Sequence, residues 1–186
     1  MPILASDERI RFDRWFTAVF AALRQLPDGD GALVALSTAL YLYERYAVAK
    51  LDAGGHKADR AGKLSQLAAD FGINPDEAEA FWNVFRNGLL HQGMPVQLQG
   101  GAPLPKWLIA EGYSRTIELT TDTPPVLQVE PWKFVQRVVE LWHGDISLLS
   151  ANKSFPLAEI HLTPPGSSTG SPAHNPGGWI PPTGIS

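Results

Sequence analysis

The run NPDEAEAFWNVFRNGLLHQGMP, from Asn74 to Pro95, carries its own start and stop. Asn74 can accept a hydrogen bond from a free backbone N–H at a helix start, Pro75 suits the first helical position, and Glu77 completes a capping-box pattern. Gly93 and Pro95 end the helix after about Gln92. On a wheel of about 100° per residue, Ala78, Phe81, Phe85 and Leu89 share one side, flanked by Trp82 and Gly88. So bulky an apolar face must be covered by other elements, which makes a helical bundle the first expectation.

The rest of the chain supplies the partners. Ser6 is expected to cap a helix starting with Asp7 and Glu8, with Ile10, Trp15, Phe16, Val19, Phe20 and Leu23 as its apolar stripe. LPDGDG, Leu26 to Gly31, reads as a turn, and Asp30 as the cap of a second helix over 32–51. Leu33, Leu36, Leu40, Tyr43 and Ala47 form its stripe. After a Gly-rich, basic loop from Asp52 to Lys63, a short helix carries Leu64, Leu67, Ala68 and Phe71, and Gly72 stops it. Arg115 to Glu130 alternates around Thr-Asp-Thr-Pro-Pro as a β-hairpin, and Pro131 opens a last helix that ends near Gly144. The expected fold is mainly α: an antiparallel bundle of about five helices over residues 1–150, with a small β-hairpin before the last helix. Residues 151–186, rich in Pro, Gly and Ser from Thr163 on, are expected to form an extended or flexible tail.

Composition narrows the chemistry. Net charge is −4, so the global basic field of a duplex-DNA binder is missing, although a local basic patch would still serve RNA. The absence of cysteine removes disulfides, thiolate nucleophiles and Cys-based zinc sites. His56, His91, His143, His161 and His174 do not have the spacing of a zinc helix, and nothing argues for a metal or a cofactor. The charged N-terminus does not read as a signal peptide and no apolar run approaches a membrane span, so a cytoplasmic protein is expected. Gly166-Ser167-Ser168-Thr169-Gly170 matches a nucleophile elbow only on paper, because it lies in the Pro-rich tail.

Arg86 and His91 are the residues that suggest chemistry. Arg86 falls about 100° to one side of the core centre and His91 about 120° to the other, roughly 7.5 Å apart along the axis. Simple stacking on one helix is not expected to bring their tips together. Leu90 points away from the core between them, near Asn87, so a second subunit packed there would bury it and enclose the polar groups. A His can take the proton of a ribose 2′-OH or protonate a leaving 5′-oxygen. An Arg can grip the phosphate, and Asn87 can orient either partner through its amide. Arg137 and His143 are a competing pair at a slightly longer spacing, so spacing alone does not decide.

FWNVFRNGLLHQG resembles the motif of the HEPN superfamily (higher eukaryotes and prokaryotes nucleotide-binding), in which an Arg, often followed by a polar residue, is separated from a His by four to six residues. The matching positions are Arg86, Asn87 and His91. The likeness extends through the hairpin and last helix, over about residues 75 to 143. It implies a helical bundle, a homodimer and metal-independent endoribonuclease activity of the kind found in toxins and antiphage systems, with an antitoxin or other partner protein a possibility. Some members are non-catalytic nucleotide-binding or assembly modules.

Three readings follow: an RNA-cleaving site at a dimer groove, a groove that binds RNA, nucleotide or a partner protein, and a helical interaction protein in which Arg86 is a solvated charge and His91 a helix-end residue. Lys57 and Arg60 are the RNA-contact candidates, weighed against an ordinary solvated loop.

Overall fold

The computed structural model describes residues 5–95, 98–99 and 102–151, without the side chains at 5–6, 90, 92, 98–99, 102–103 and 150–151. The tail after Ala151 and the side chain of Leu90 thus lie outside the described residues. The fold is mainly helical with a small sheet, as the periodicity predicts.

The first helix runs as α1 (Ala5–Phe12), a π turn (Asp13–Thr17) and α2 (Ala18–Leu23). It already includes Ala5, so Ser6 sits inside it and is not its cap. The expected stripe is also displaced: Phe12 and Phe20 are buried, whereas Ile10 and Val19 are exposed. The π turn inserts an extra residue, so the 3.6-residue phase read along the sequence does not survive it. α3 (Gly31–Ala53) is the central helix, packed against α2, α4, α6, α7 and α8. Asp30 precedes it, but its side chain makes no capping hydrogen bond. Gly31 is needed where α3 meets the end of α2, since a Cβ there would stand 2.1 Å from the Leu23 carbonyl oxygen.

The expected loop over Asp52 to Lys63 is shorter: α4 (Arg60–Phe71) starts on the Asp59 side chain, which accepts from the Gly62 N–H and brings Arg60 and Lys63 onto the helix; its end at Gly72, in the left-handed region, is as expected. α5 (Pro75–Phe81) has the full capping box between Asn74 and Glu77. A second π turn (Trp82–Arg86) joins it to α6 (Asn87–Gln92), which Gly93 terminates with φ 74°. α7 (Pro131–Gly144) and α8 (Ser147–Ala151) complete the helices of the described residues.

Leu98–Gln99 (β1) pairs antiparallel with Ala102–Pro103 (β2). The expected hairpin is β4 (Ile117–Leu119) against β5 (Val126–Val129). The sheet has a third strand beyond the expected hairpin: β3 (Lys106–Ile109) runs parallel to β5, giving the order β3-β5-β4. Four residues between Pro105 and Ala110 are too few to show a period of two.

A row of aromatic rings ties these parts together. Phe71 stacks on Phe134 at 4.7 Å, Phe134 meets Phe81 at 5.2 Å, Phe81 meets Phe85 at 5.4 Å, and Phe85 meets Trp107 of β3 edge-on at 6.2 Å. Such pairs contribute about 0.5–1.5 kcal/mol each beyond their buried area. Because Phe81 and Phe85 are anchored, the residue after Phe85 has a fixed starting point. That residue is Arg86.

Candidate active site around Arg86

The carboxylate of Glu44, in the middle of α3, accepts from Arg86 Nε at 3.1 Å (Oε2) and from Nη2 at 2.8 Å (Oε1), a bidentate grip. Arg86 Nη1 lies 3.1 Å from Asn87 Oδ1 and 2.9 Å from His91 Nε2. Lys63 of α4 donates to Glu44 Oε1 at 3.1 Å. Arg86 and Lys63 also stand 5.3 and 5.4 Å from the ring centre of the buried Trp82.

The structure thus brings Arg86, Asn87 and His91 together, and it corrects the expectation that one helix keeps the Arg and His tips apart. Side chains on a helix lean toward its N-terminus, so His91 leans back toward Arg86. The long stem of Arg86 spans the remainder. Arg86 is 20% exposed and Glu44 16%, while His91 faces solvent. One end of the cluster is therefore held in the protein and the other is open.

Burial pushes the Glu44 carboxyl up. Hydrogen bonds from Arg86 and Lys63, and their charges, outweigh that and hold it below its ordinary value. Glu44 stays ionised and the Arg86 fork stays paired. A guanidinium has no acceptor, so in this contact Nε2 can only accept, which for a neutral ring requires the proton on Nδ1.

Of the two RNA-contact candidates, only Arg60 is brought near. It bonds Glu79 and Asn83 Oδ1, both at 3.0 Å, and Asn83 belongs to the same π turn as Arg86. Arg60 and Lys63 lie one helical turn apart on α4, each paired with a carboxylate, Glu79 and Glu44. Lys57, on the preceding loop, is 85% exposed and pairs with Asp59 at 3.3 Å, with no link to Arg86. The competing pair is not assembled. Arg137 Nε donates to the Asp70 carbonyl at 2.8 Å, while His143 Nε2 lies 2.7 Å from Asp13 and joins α7 to the first helix.

Comparison with models of known families finds no match, and no curated protein or solved structure matches the chain either. What the cluster can do must therefore be argued from its own residues. Sequence patterning does not single out Glu44 or Lys63 as site residues, although Glu44 carries one signal. Between Gly31 and Leu51 the chain is apolar nearly throughout, and Glu44 is its single acid. A lone carboxylate in such a helix asks for a cationic partner.

The described helices include none long and apolar enough to cross a membrane.

Proposed function

We propose that this chain is a HEPN-like, metal-independent endoribonuclease whose chemistry is carried by Arg86 and His91, with Asn87 orienting them, in a groove between two copies of the chain. The observation that carries the reading is the 2.9 Å contact between a carboxylate-anchored guanidinium and a solvent-facing imidazole. In this reaction a ribose 2′-oxygen attacks the adjacent phosphorus as its proton passes to a base. The bond to the 5′-oxygen breaks as that oxygen gains a proton, leaving a 2′,3′-cyclic phosphate and a 5′-hydroxyl. His91 moves the protons, at about 10²–10⁴-fold in rate for such a group. Arg86 stabilises the charge that builds on the phosphoryl oxygens. Across a two-fold axis, His91 of one copy serves as base and that of the other as acid.

Support for a second copy comes from α3. Val34 and Tyr41, two helical turns apart, are 53% and 50% exposed on a helix otherwise largely buried, and Glu44 is the next turn after Tyr41. Ser37 and Thr38 occupy the turn between them, so Tyr41 is the exposed ring beside the cluster, suited to a partner that closes the groove. Tyr41→Arg is expected to weaken self-association by about thirtyfold or more in sedimentation equilibrium, the effect of losing an interface anchor. Equal association of wild type and variant would remove α3 from the interface.

The reaction type is tested by its products. Single-stranded RNA incubated with the protein in EDTA should yield 2′,3′-cyclic phosphate and 5′-hydroxyl ends. Ends bearing a 3′-hydroxyl, or cleavage that needs added metal, would contradict the reading. A non-catalytic module that binds RNA, nucleotide or a partner protein is the alternative, because an Arg86 whose charge Glu44 largely neutralises stabilises developing phosphoryl charge less. Retained nucleotide binding with no cleavage would select it.

A further inference from the structure

We infer that Glu44 is a positioning residue: by holding one edge of the Arg86 guanidinium it fixes the His91 tautomer and leaves the opposite edge as the landing point for a phosphate oxygen. The landing-point half rests on the phosphodiester reading above; the tautomer half does not.

The donor count makes the case. A guanidinium has five N–H groups. Glu44 takes the Nε–H and one N–H of Nη2, which is the whole of one edge. The two N–H groups of Nη1 are directed to Asn87 Oδ1 and His91 Nε2. The fifth, the second N–H of Nη2, has no acceptor among the described residues. Arg86 therefore cannot take a phosphate on the edge that faces Glu44. The free N–H shares the other edge with one N–H of Nη1, whose acceptors are Asn87 and His91.

Two consequences follow for His91. At rest its Nε2 lone pair is occupied by Arg86, so the proton lies on Nδ1, the reverse of the tautomer that free histidine favours in water. A phosphate oxygen arriving on the Nη1/Nη2 edge competes for the Nη1 N–H and releases Nε2. The imidazole thus gains a free lone pair when a phosphate sits next to it. Without Glu44, only Asn87 and the Trp82 face restrain the guanidinium, and neither relation is fixed. Lys63 is not equivalent: it donates to Glu44 Oε1 and touches no part of the fork.

The tautomer can be read directly. In the full-length chain at mildly alkaline pH, the long-range proton–nitrogen spectrum of the His91 ring, assigned by its loss in His91→Ala, should show a protonated Nδ1 and a bare Nε2. Glu44→Gln should shift the ring toward the Nε2–H form, whereas Lys63→Met should leave it unchanged. A wild-type ring already in the Nε2–H form, or an unchanged ring in a folded Glu44→Gln, would overturn the inference. Should Glu44→Gln fail to fold, inorganic phosphate added to wild type decides. Release of Nε2 as phosphate rises supports the landing point, and a ring indifferent to phosphate refutes it. In RNA cleavage, Glu44→Gln should lower kcat by about 10–100-fold without raising KM, the pattern of a misplaced rather than a lost binding group. If wild type keeps the Nδ1–H tautomer and cleaves no RNA, the ribonuclease reading fails and the positioning role of Glu44 stands.

Discussion

Glu77→Ala is expected to lower the unfolding free energy by about 3 kcal/mol, the sum of a lost cap, a lost ion pair and a stranded backbone donor. The Glu77 side chain is only 3% exposed, yet it serves three partners. It completes the capping box by accepting from the Asn74 N–H at 2.9 Å. It takes Arg115 bidentately at 2.7 and 3.0 Å. It also lies 3.4 Å from the N–H of Leu119 on β4, so the same carboxylate starts α5 and holds the sheet to it. Burial pushes this carboxyl up, but Arg115 and the two backbone N–H groups outweigh it and the net shift is downward. The sign is that of a depressed acid. Its stabilisation is complete above the ordinary carboxyl value of 4.5 and fades as pH falls through the lower folded value. Urea unfolding should show a lower midpoint for Glu77→Ala at neutral pH and a smaller difference from wild type in acid. A loss under about 1 kcal/mol at neutral pH would mean that these contacts do not hold the junction.

Arg86→Ala is expected to lower RNA cleavage by about 10²–10³-fold, the range for removing one charge-stabilising donor from a site, and to fall at the upper end because His91 loses its anchor as well. The stability effect should be smaller, about 1–2 kcal/mol, since Lys63 remains to neutralise the half-buried Glu44. The contrast separates the readings. If Arg86 were only a structural clamp, stability would fall and the low residual activity, if any, would track the folded fraction. Thermal unfolding and initial rates measured on one preparation distinguish the two. A folded Arg86→Ala protein that cleaves like wild type would remove Arg86 from the reaction.

Sequence made the second half of the domain legible where its signals are local. Asn74, Pro75 and Glu77 mark a helix start whichever partners the helix later meets, and the capping box follows. Gly72 and Gly93 adopt the left-handed conformations their positions suggest. Long-range or phase-dependent features were not legible. The π turn at Asp13–Thr17 breaks the wheel on which the first apolar face is drawn, so Phe12 is buried while Ile10 and Val19 face outward; the face drawn across the second π turn holds, with Phe81, Trp82, Phe85 and Leu89 all buried. β3 depends on a partner some twenty residues away, since Lys106 pairs with Val126.

The same division runs through the site. Arg86, Asn87 and His91 are near neighbours in sequence and could be proposed from one helix. Glu44 is 42 positions from Arg86, and only tertiary packing brings its carboxylate to the fork. Arg60 and Lys57 looked alike as basic residues on one stretch. The start of α4 separates them: Arg60 lies on the helix facing Asn83, and Lys57 remains on the loop with Asp59.

The most direct test compares wild type and His91→Ala for cleavage of single-stranded RNA in EDTA at equal concentration of folded protein. Wild type should cleave, and the variant should fall by about 10²–10⁴-fold while keeping its fold, because the side chain removed is exposed. Equal rates in the two proteins would contradict the account.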